Sequence, residues 1–376
     1  MRAAMPVVSE GAGLGLYGLL RPFLFRCAPE TAHGLAIRGL QIWQNCPGGR
    51  AARPADPGLR QRLWGLDFPN PVGLAAGFDK NGQVWRGVLR LGFGFAEIGS
   101  VTPLAQAGNP QPRLFRLTAA EAVLNRMGFN NAGIAAMERR LTADGRANAA
   151  RQGILGINLG KNKTTEDAAA DYERGIGALA RFADYLVINV SSPNTPGLRA
   201  LQGREPLQAL VARARRALDA APLDAVSGRG RPPLLLKIAP DLTPEDLADI
   251  AAVALDGGLD GLIVSNTTIT RPDVDATWQQ EAGGLSGRPL FSLSTRILGD
   301  IYRLTGGKLP LIGVGGISSA ADAYAKIRAG ASLVQLYSGL IYRGPSLARR
   351  INRDLPALLQ RDGFDTIAAA VGVDHR

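Results

Sequence analysis

Eight short apolar runs, each followed by room for a helix, constrain this chain more than any other feature. They lie at 71–78, 95–101, 154–159, 185–190, 234–238, 262–265, 311–314 and 333–336. Continuous runs of this length suit parallel strands buried on both faces. Stretches at 83–91, 168–180, 207–218, 244–254, 292–304 and 320–329 carry helical periodicity between them. Thr243-Pro244-Glu245 places a cap, a first-turn proline and an acid in order, as a helix start requires. The alternation predicts the α/β class and a (β/α)8 TIM barrel. An open doubly wound sheet is the alternative. It needs a glycine-rich turn after its first strand, and AAGFDKNG is a poor G-x-G-x-x-G.

The N-terminus is different in kind. Leu14, Tyr17, Leu20, Phe23 and Leu24, then Leu35, Ile37, Leu40, Ile42 and Trp43, form two stretches parted by Pro29, with Arg21, Arg26 and Arg38 among them. Their spacing predicts two short apolar-faced helices, suited to lying on an anionic membrane surface or to simple packing. The chain therefore divides into a helical extension (1–46), a Pro/Gly/Arg-rich linker (47–60), the barrel (61–363) and a tail (364–376). The tail matches no usable pattern and is expected to be disordered.

Composition removes several functions. The net charge of +11 favours anionic partners, yet the basic residues are dispersed and aromatics are only 6%, so a nucleic-acid partner is not expected. Two cysteines, Cys27 and Cys46, without C-x-x-C spacing supply neither an iron–sulfur cluster nor a disulfide framework. With His33 and His375 as the whole imidazole supply, no metal site and no Ser/His triad is expected. No apolar run reaches the roughly 18 residues of a membrane span, and the opening residues lack the order of a secretory signal. The expected place is the cytoplasm or a surface facing it.

Barrel enzymes build their sites at the carboxyl ends of the strands. Those ends carry Asp79-Lys80, Ser100, Asn158, Asn189, Lys237, Ser265-Asn266-Thr267, Gly315-Gly316 and Tyr337-Ser338. Singly, each fits a strand terminator or a buried polar group satisfied by backbone; together they describe a polar mouth rich in amides, with two lysines. The segments IGVGGI and VQLYSGLIYRGP, after the last two strands, suit a phosphorylated ligand through exposed backbone N–H groups, a feature many barrels share. Asn125, Asn130, Asn131, Asn158, Asn189, Asn194 and Asn266 lie at strand ends or in adjoining loops. A carboxamide offers donor and acceptor side by side, which complements a cyclic amide, although turns also favour Asn. Ser191, Ser192 and Thr195 sit in NVSSPNTPGLR with no histidine base in the barrel. A plain loop serine and a proton acceptor in a desolvated network both remain open.

The segments AAGFDKNG, GFGFAEIGSVTP, GNPQPRLFRL, NRMGFNN, GINLGKNK, NVSSPNTPGLR, LLLKIAPDL, SNTT, GGLSGRPL, GVGGI and QLYSG, in order from about residue 72 to 339, resemble the class 2 dihydroorotate dehydrogenases, as does the earlier PETAH. The resemblance implies FMN, oxidation of (S)-dihydroorotate to orotate in pyrimidine synthesis, and flavin re-oxidation by ubiquinone or menaquinone. It places flavin contacts at Ala76, Gly77, Phe78, Asp79, Lys80, Ser100, Asn158, Asn189, Lys237, Ser265, Gly287, Gly316, Tyr337 and Ser338. Substrate contacts fall at Lys80, Asn125, Arg126, Met127, Gly128, Phe129, Asn189, Asn194, Asn266 and Thr267. Ser192 matches the base, with Thr195 as relay, and Lys237 would stabilise the anion of the reduced flavin. Members using soluble acceptors carry cysteine at the base position, so Ser192 and the N-terminal helices together imply the quinone-linked class. That class implies a peripheral position on the cytoplasmic side of the inner membrane, with His33, Arg116 and Tyr337 near the quinone entry. Ser100 and Ser265 stand where threonine is frequent and keep the hydroxyl. Three rivals remain: another flavin barrel oxidoreductase, a non-redox phosphate-binding barrel, and a peripheral scaffold without catalysis.

Overall fold

Strands that are apolar on both faces must be covered on both, and closing the sheet on itself does this with one ring of helices. The computed structural model describes residues 15–46, 56–146, 152–222 and 230–376; Leu14 and residues 47–55, most of the expected linker, lie outside them. Helices α1 (Gly15–Arg26) and α2 (Pro29–Asn45) precede a hairpin of β1 (Gln61–Leu63) and β2 (Leu66–Phe68). Then come β3 (Val72–Leu74), α3 (Trp85–Arg90), β4 (Phe95–Val101), an excursion of β5 (Leu114–Leu117) and β6 (Ala122–Asn125), and α4 (Ile134–Ala143). The chain continues through β7 (Ile154–Leu159), α5 (Ala168–Leu179), β8 (Tyr185–Asn189), α6 (Arg204–Ala220), β9 (Leu234–Ile238), α7 (Pro244–Asp256) and β10 (Gly261–Val264). It ends with β11 (Gly284–Gly287), α8 (Phe291–Leu304), β12 (Leu311–Val314), α9 (Ala320–Arg328), β13 (Ala331–Leu336), α10 (Ser338–Arg343), α11 (Leu347–Arg361) and α12 (Ile367–Ala370).

Strands β3, β4, β7, β8, β9, β10, β12 and β13 close into a parallel barrel in chain order. The (β/α)8 architecture expected from the sequence is the one observed. The run at 71–78 contributes only Val72–Leu74 as strand, because the chain then crosses the mouth: Gly77 donates to the carbonyl of Gly99 at 2.8 Å, and Asp79 accepts from the N–H groups of Gln83 and Val84 at 2.7 Å each. Side chains pointing outward pack on the helices in one large core. At the amino end of the barrel the interior is an aromatic and aliphatic plug of Phe95, Tyr185, Leu235, Ile263 and Leu333, closed beneath by Trp64 and Phe68 of the hairpin. Phe68 meets Phe95 edge-on at 5.3 Å. The plug leaves the polar residues at the other end, where the strands open.

Two further elements frame that end. An antiparallel sheet of β5, β6 and β11 stands beside the mouth, joined from sequence positions more than a hundred residues apart. Helices α1 and α2 dock through both side chains and backbone, Tyr17 donating to the carbonyl of Ile341 at 2.6 Å and Gln44 to that of Gln83 at 2.9 Å. Arg116 of β5 donates to the carbonyls of Leu24 and Phe25 at 3.0 and 3.1 Å and to that of Cys27. Arg90 donates to those of Trp43 and Gln44 at 3.0 and 2.7 Å. Leu19, Leu20, Phe23, Leu35 and Ile42 remain exposed. No helix among the described residues is long and apolar enough to cross a membrane.

The tail departs from expectation. Residues 364–376 are ordered: Ile367 and Ala370 are buried, Gly372 donates to the carbonyl of Ile327 at 3.0 Å, and Asp374 pairs with Arg328 at 2.5 Å. Two apolar anchors in so short a segment leave no periodicity to read. Ile367→Ala is expected to lower unfolding stability by about 2–5 kcal/mol. Urea denaturation would measure it, and an unchanged midpoint would mean that the tail only rests on the barrel.

Candidate active site

Glu97 lies at the centre of the barrel on β4, fully buried. Its carboxylate accepts from the amide of Gln335 at 2.6 Å, the amide of Asn158 at 2.8 Å and the hydroxyl of Tyr185 at 3.1 Å. A carboxylate only accepts, so Asn158 must turn its NH2 inward and its carbonyl outward. That carbonyl receives the hydroxyl of Ser100 and the NH2 of Asn189, the latter at 3.1 Å. The carbonyl of Asn189 in turn receives the hydroxyl of Ser191 at 2.9 Å and the NH2 of Asn266 at 3.5 Å. One buried carboxylate thus sets the donor and acceptor sense of every link from β4 to the end of β10.

Two lysines flank this chain of amides. Burial pushes the ammonium of Lys237, on β9, below its ordinary range, with Glu97 pulling the other way. Lys80 is pushed down to about 8, first by burial; Glu30 opposes the shift, Arg113 adds to it and Asp79 opposes it. Neither ammonium makes a hydrogen bond or ion pair with a described residue. Both face one cavity, together with Ser100, Asn125, Asn189, Ser192, Asn194, Ser265, Asn266 and Thr267. An uncompensated buried cation is costly, so a cavity with two of them is built for anions.

The same cavity gathers most of the other residues expected from the sequence: His33, Ala76, Gly77, Met127, Gly128, Phe129, Gly287, Gly316, Tyr337 and Ser338. Six stand apart from its wall. Phe78 packs its ring edge against His33 and Tyr337 at 5.4 and 5.5 Å. Asp79 is spent on the loop N–H groups described above, Asn158 lies behind Ser100, and Thr195 is buried farther along the Ser192 loop. Arg116 holds the α1–α2 turn. Arg126 turns its guanidinium away, to Glu281 and to the carbonyl of Pro112 at 2.8 Å.

The loop carrying Ser192 is clamped on both sides. Arg199 donates to the carbonyls of Ser191 and Thr267 at 3.0 and 2.9 Å while paired with Asp241 at 2.8 Å. Asn194 donates to the carbonyl of Asn125 at 3.2 Å. Ser192 itself is buried, and its hydroxyl accepts from the N–H of Asn194 at 3.3 Å. Toward α1 and α2 the cavity turns less polar, with Leu114, Ile341 and Tyr342 in its wall. There His33 lies 3.5 Å from the hydroxyl of Tyr337, its pKa lowered to about 4, by burial first and Lys80 second against an opposing Glu30. Its imidazole is neutral at physiological pH.

Sequence reading missed Glu97, Arg199, Asn109 and Arg113. Glu97 had a signal, a lone carboxylate inside an apolar strand run, and Arg199 ends the segment NVSSPNTPGLR. Asn109 and Arg113 belong to GNPQPRLFRL: Asn109 donates to the carbonyl of Asn194 at 3.4 Å, and Arg113 pairs with Glu30 of α2 at 2.6 Å.

The dihydroorotate dehydrogenase family model matches residues 58–359. The chain belongs to this family. A Rhodospirillum rubrum relative named dihydroorotate dehydrogenase (quinone) is 60% identical over 361 residues, spanning 96% of this chain and 95% of its own. The Arabidopsis thaliana mitochondrial protein of the same name is 51% identical, over 95% of this chain and 81% of its own. A crystal structure of the Eimeria tenella family member in complex with ferulenol superposes with a TM-score of 0.87 at 45% identity, over 93% of this chain and 96% of that one.

Stability separates the hub of the network from its spokes. Glu97→Ala strands three buried donors and is expected to cost at least about 3 kcal/mol, whereas Tyr185→Phe removes one donor and costs about 1 kcal/mol. Equal losses in chemical unfolding would deny Glu97 its central place.

Proposed function

We propose that the protein oxidises (S)-dihydroorotate to orotate, with FMN as first electron acceptor and a membrane quinone, ubiquinone or menaquinone, as the last, in de novo pyrimidine synthesis. The observation that carries this reading is the pair of buried ammonium groups, Lys80 and Lys237, facing one cavity among four carboxamides with no protein anion bonded to either. One cation answers a substrate carboxylate and the other an electron-rich ring. The family and its quinone-linked relatives supply the reaction class.

The cavity fits FMN. At Gly77, with φ +100°, a Cβ would project into the cavity and meet only the Tyr337 ring at 3.8 Å, so a side chain there would fill the space a flat ligand needs. Ala76, Gly77, Ser100, Asn189, Lys237 and Ser265 would hold the ring, with Asn158 fixing Ser100 from behind, and the turns at Gly287, Gly316 and Ser338 would hold the phosphate. Bound FMN supplies the two-electron acceptor for the hydride from substrate C6. Ser192 takes the C5 proton, and Thr195, farther along the same loop, passes it outward. Lys80 binds the substrate carboxylate, and Asn125, Asn194, Asn266 and Thr267 bind the ring edge beside the 126–129 backbone. His33, Tyr337 and Arg116 mark the arm that takes the quinone. The exposed apolar residues of α1 and α2, with Arg21, Arg26 and Arg38, hold the protein peripherally to an anionic membrane, on its cytoplasmic side.

The purified protein should be yellow and should turn over dihydroorotate with a quinone analogue and not with fumarate or NAD; turnover with either of the latter would overturn the quinone assignment. Ser192→Ala should retain flavin but slow its reduction by dihydroorotate about 10²–10⁴-fold, the range for loss of a general base. A wild-type rate in stopped flow would remove Ser192 from that role.

Lys80 gives a pH signature. It is cationic below about 8 and neutral above, so anion binding is lost as the pH rises through that value. The affinity for orotate should fall by up to about tenfold per unit above pH 8, the limit for one linked proton. Lys80→Met should flatten the profile.

A further inference from the structure

The mechanism gives no task to one deeply buried lysine. Lys326, on α9, is fully buried, and its ammonium donates to the hydroxyls of Ser294 and Thr295 at 2.8 and 2.9 Å and lies 5.0 Å from the Phe291 ring. Both hydroxyls have spent their own protons. Thr295 donates to the carbonyl of Phe291 at 2.7 Å, and Ser294 reaches that carbonyl at 3.1 Å and the one of Gly315 at 3.3 Å. They therefore face the lysine as acceptors, and no carboxylate bonds it among the described residues.

The residues that hold this ammonium also form the floor of the glycine turn after β12. A Cβ on Gly315 (φ +111°) would come within 2.7 Å of the Ser294 hydroxyl, and one on Gly316 (φ +76°) within 2.5 Å of Phe291 Cβ. The far end of the turn is held from the same helix as Lys326, where Asp322 accepts from the N–H and the hydroxyl of Ser318 at 2.9 Å each. Gly315, Gly316 and Ser318 line the cavity on their other side.

We infer that Lys326 is a positioning residue for the cofactor phosphate, the counter-cation that acts on it from behind the Gly315–Gly316 turn. The inference rests on the FMN reading above. The field of a buried cation is screened less than that of one in water, so it reaches across the turn. Burial lowers its pKa to about 7 against the pull of Asp322. The neighbours on other elements, Phe291, Ser294, Thr295 and Leu298 of α8, Gly313 of β12 and Ala331 of β13, are not titratable. A phosphate dianion beyond the turn raises that pKa, so the protein takes up a proton on binding FMN. Affinity for FMN then falls as the pH rises above 7, over a range where the phosphate, with a second pKa of about 6, stays dianionic.

Riboflavin has the same ring and no phosphate, so it isolates the effect from Lys80 and Lys237, which act on the cavity interior. Holoenzyme is diluted and flavin release followed by fluorescence, with FMN and, after exchange, with riboflavin, at pH 7 and pH 9. The wild type should lose FMN affinity over this range by more than it loses riboflavin affinity. Lys326→Met should weaken FMN at least about tenfold, leave riboflavin unchanged and abolish the difference between the two pH profiles. Equal weakening of both flavins, or an unchanged preference for FMN, would overturn the inference. The wild-type comparison needs no variant: parallel pH profiles for the two flavins would overturn it even if Lys326→Met fails to fold. A wild-type protein that holds no FMN would overturn the cofactor reading and this inference together, whereas failure of the variant comparison alone leaves the cofactor reading standing.

Discussion

The carboxylate of Glu97 sits where the barrel changes from an apolar plug to a polar mouth, and most of the mouth takes its direction from it. An isolated Asn side chain reads equally well in two orientations, and a ring of them would be a mixture of patterns. The acceptor-only group at the centre removes that freedom from Asn158, then from Asn189, then from Asn266. Each amide that reaches the cavity thereby presents a fixed donor or acceptor to whatever lies there. Such pre-set polarity is what lets a protein bind a heterocycle without reorganising. It also makes the network all-or-none, since a half-satisfied set of buried amides is worse than none.

Around this fixed centre the remaining parts are held by contacts from a few arginines. Arg199 joins the end of β8 to the end of β10, Arg113 joins α2 to the loop before β5, and Arg116 and Arg90 grip the carbonyl ends of α1 and α2. Guanidinium suits this work because its planar fork reaches several acceptors at once. Four of the chain's 43 Lys and Arg residues are thus committed to holding the fold together.

The barrel was legible because parallel strands buried on both faces leave an unbroken apolar trace. The runs at 95–101, 154–159, 234–238 and 311–314 coincide with β4, β7, β9 and β12 to the residue. Polar residues at their ends then had to converge, so Lys80, Asn189, Lys237 and Asn266 could be placed in one cavity without knowing a single distance. Direction was not legible. Arg126 lies among residues that face the cavity and points away, because a guanidinium long enough to reach Glu281 is settled by a partner far along the chain. The sheet of β5, β6 and β11 was invisible for a related reason: four-residue strands drawn from distant segments have no period to detect. Glu97 fell between the two cases, marked by an odd residue in a regular run but with its purpose written on the other strands.

The way α1 and α2 are fastened bears on how freely this part of the chain can vary. Part of their grip on the barrel runs through main-chain carbonyls, and α2 has no buried residue of its own. A carbonyl is the same whatever side chain it carries. Substitutions at the outward-facing Leu19, Leu20, Phe23, Leu35 and Ile42 leave those contacts untouched, so the outer surface of the two helices can drift while their attachment is inherited intact.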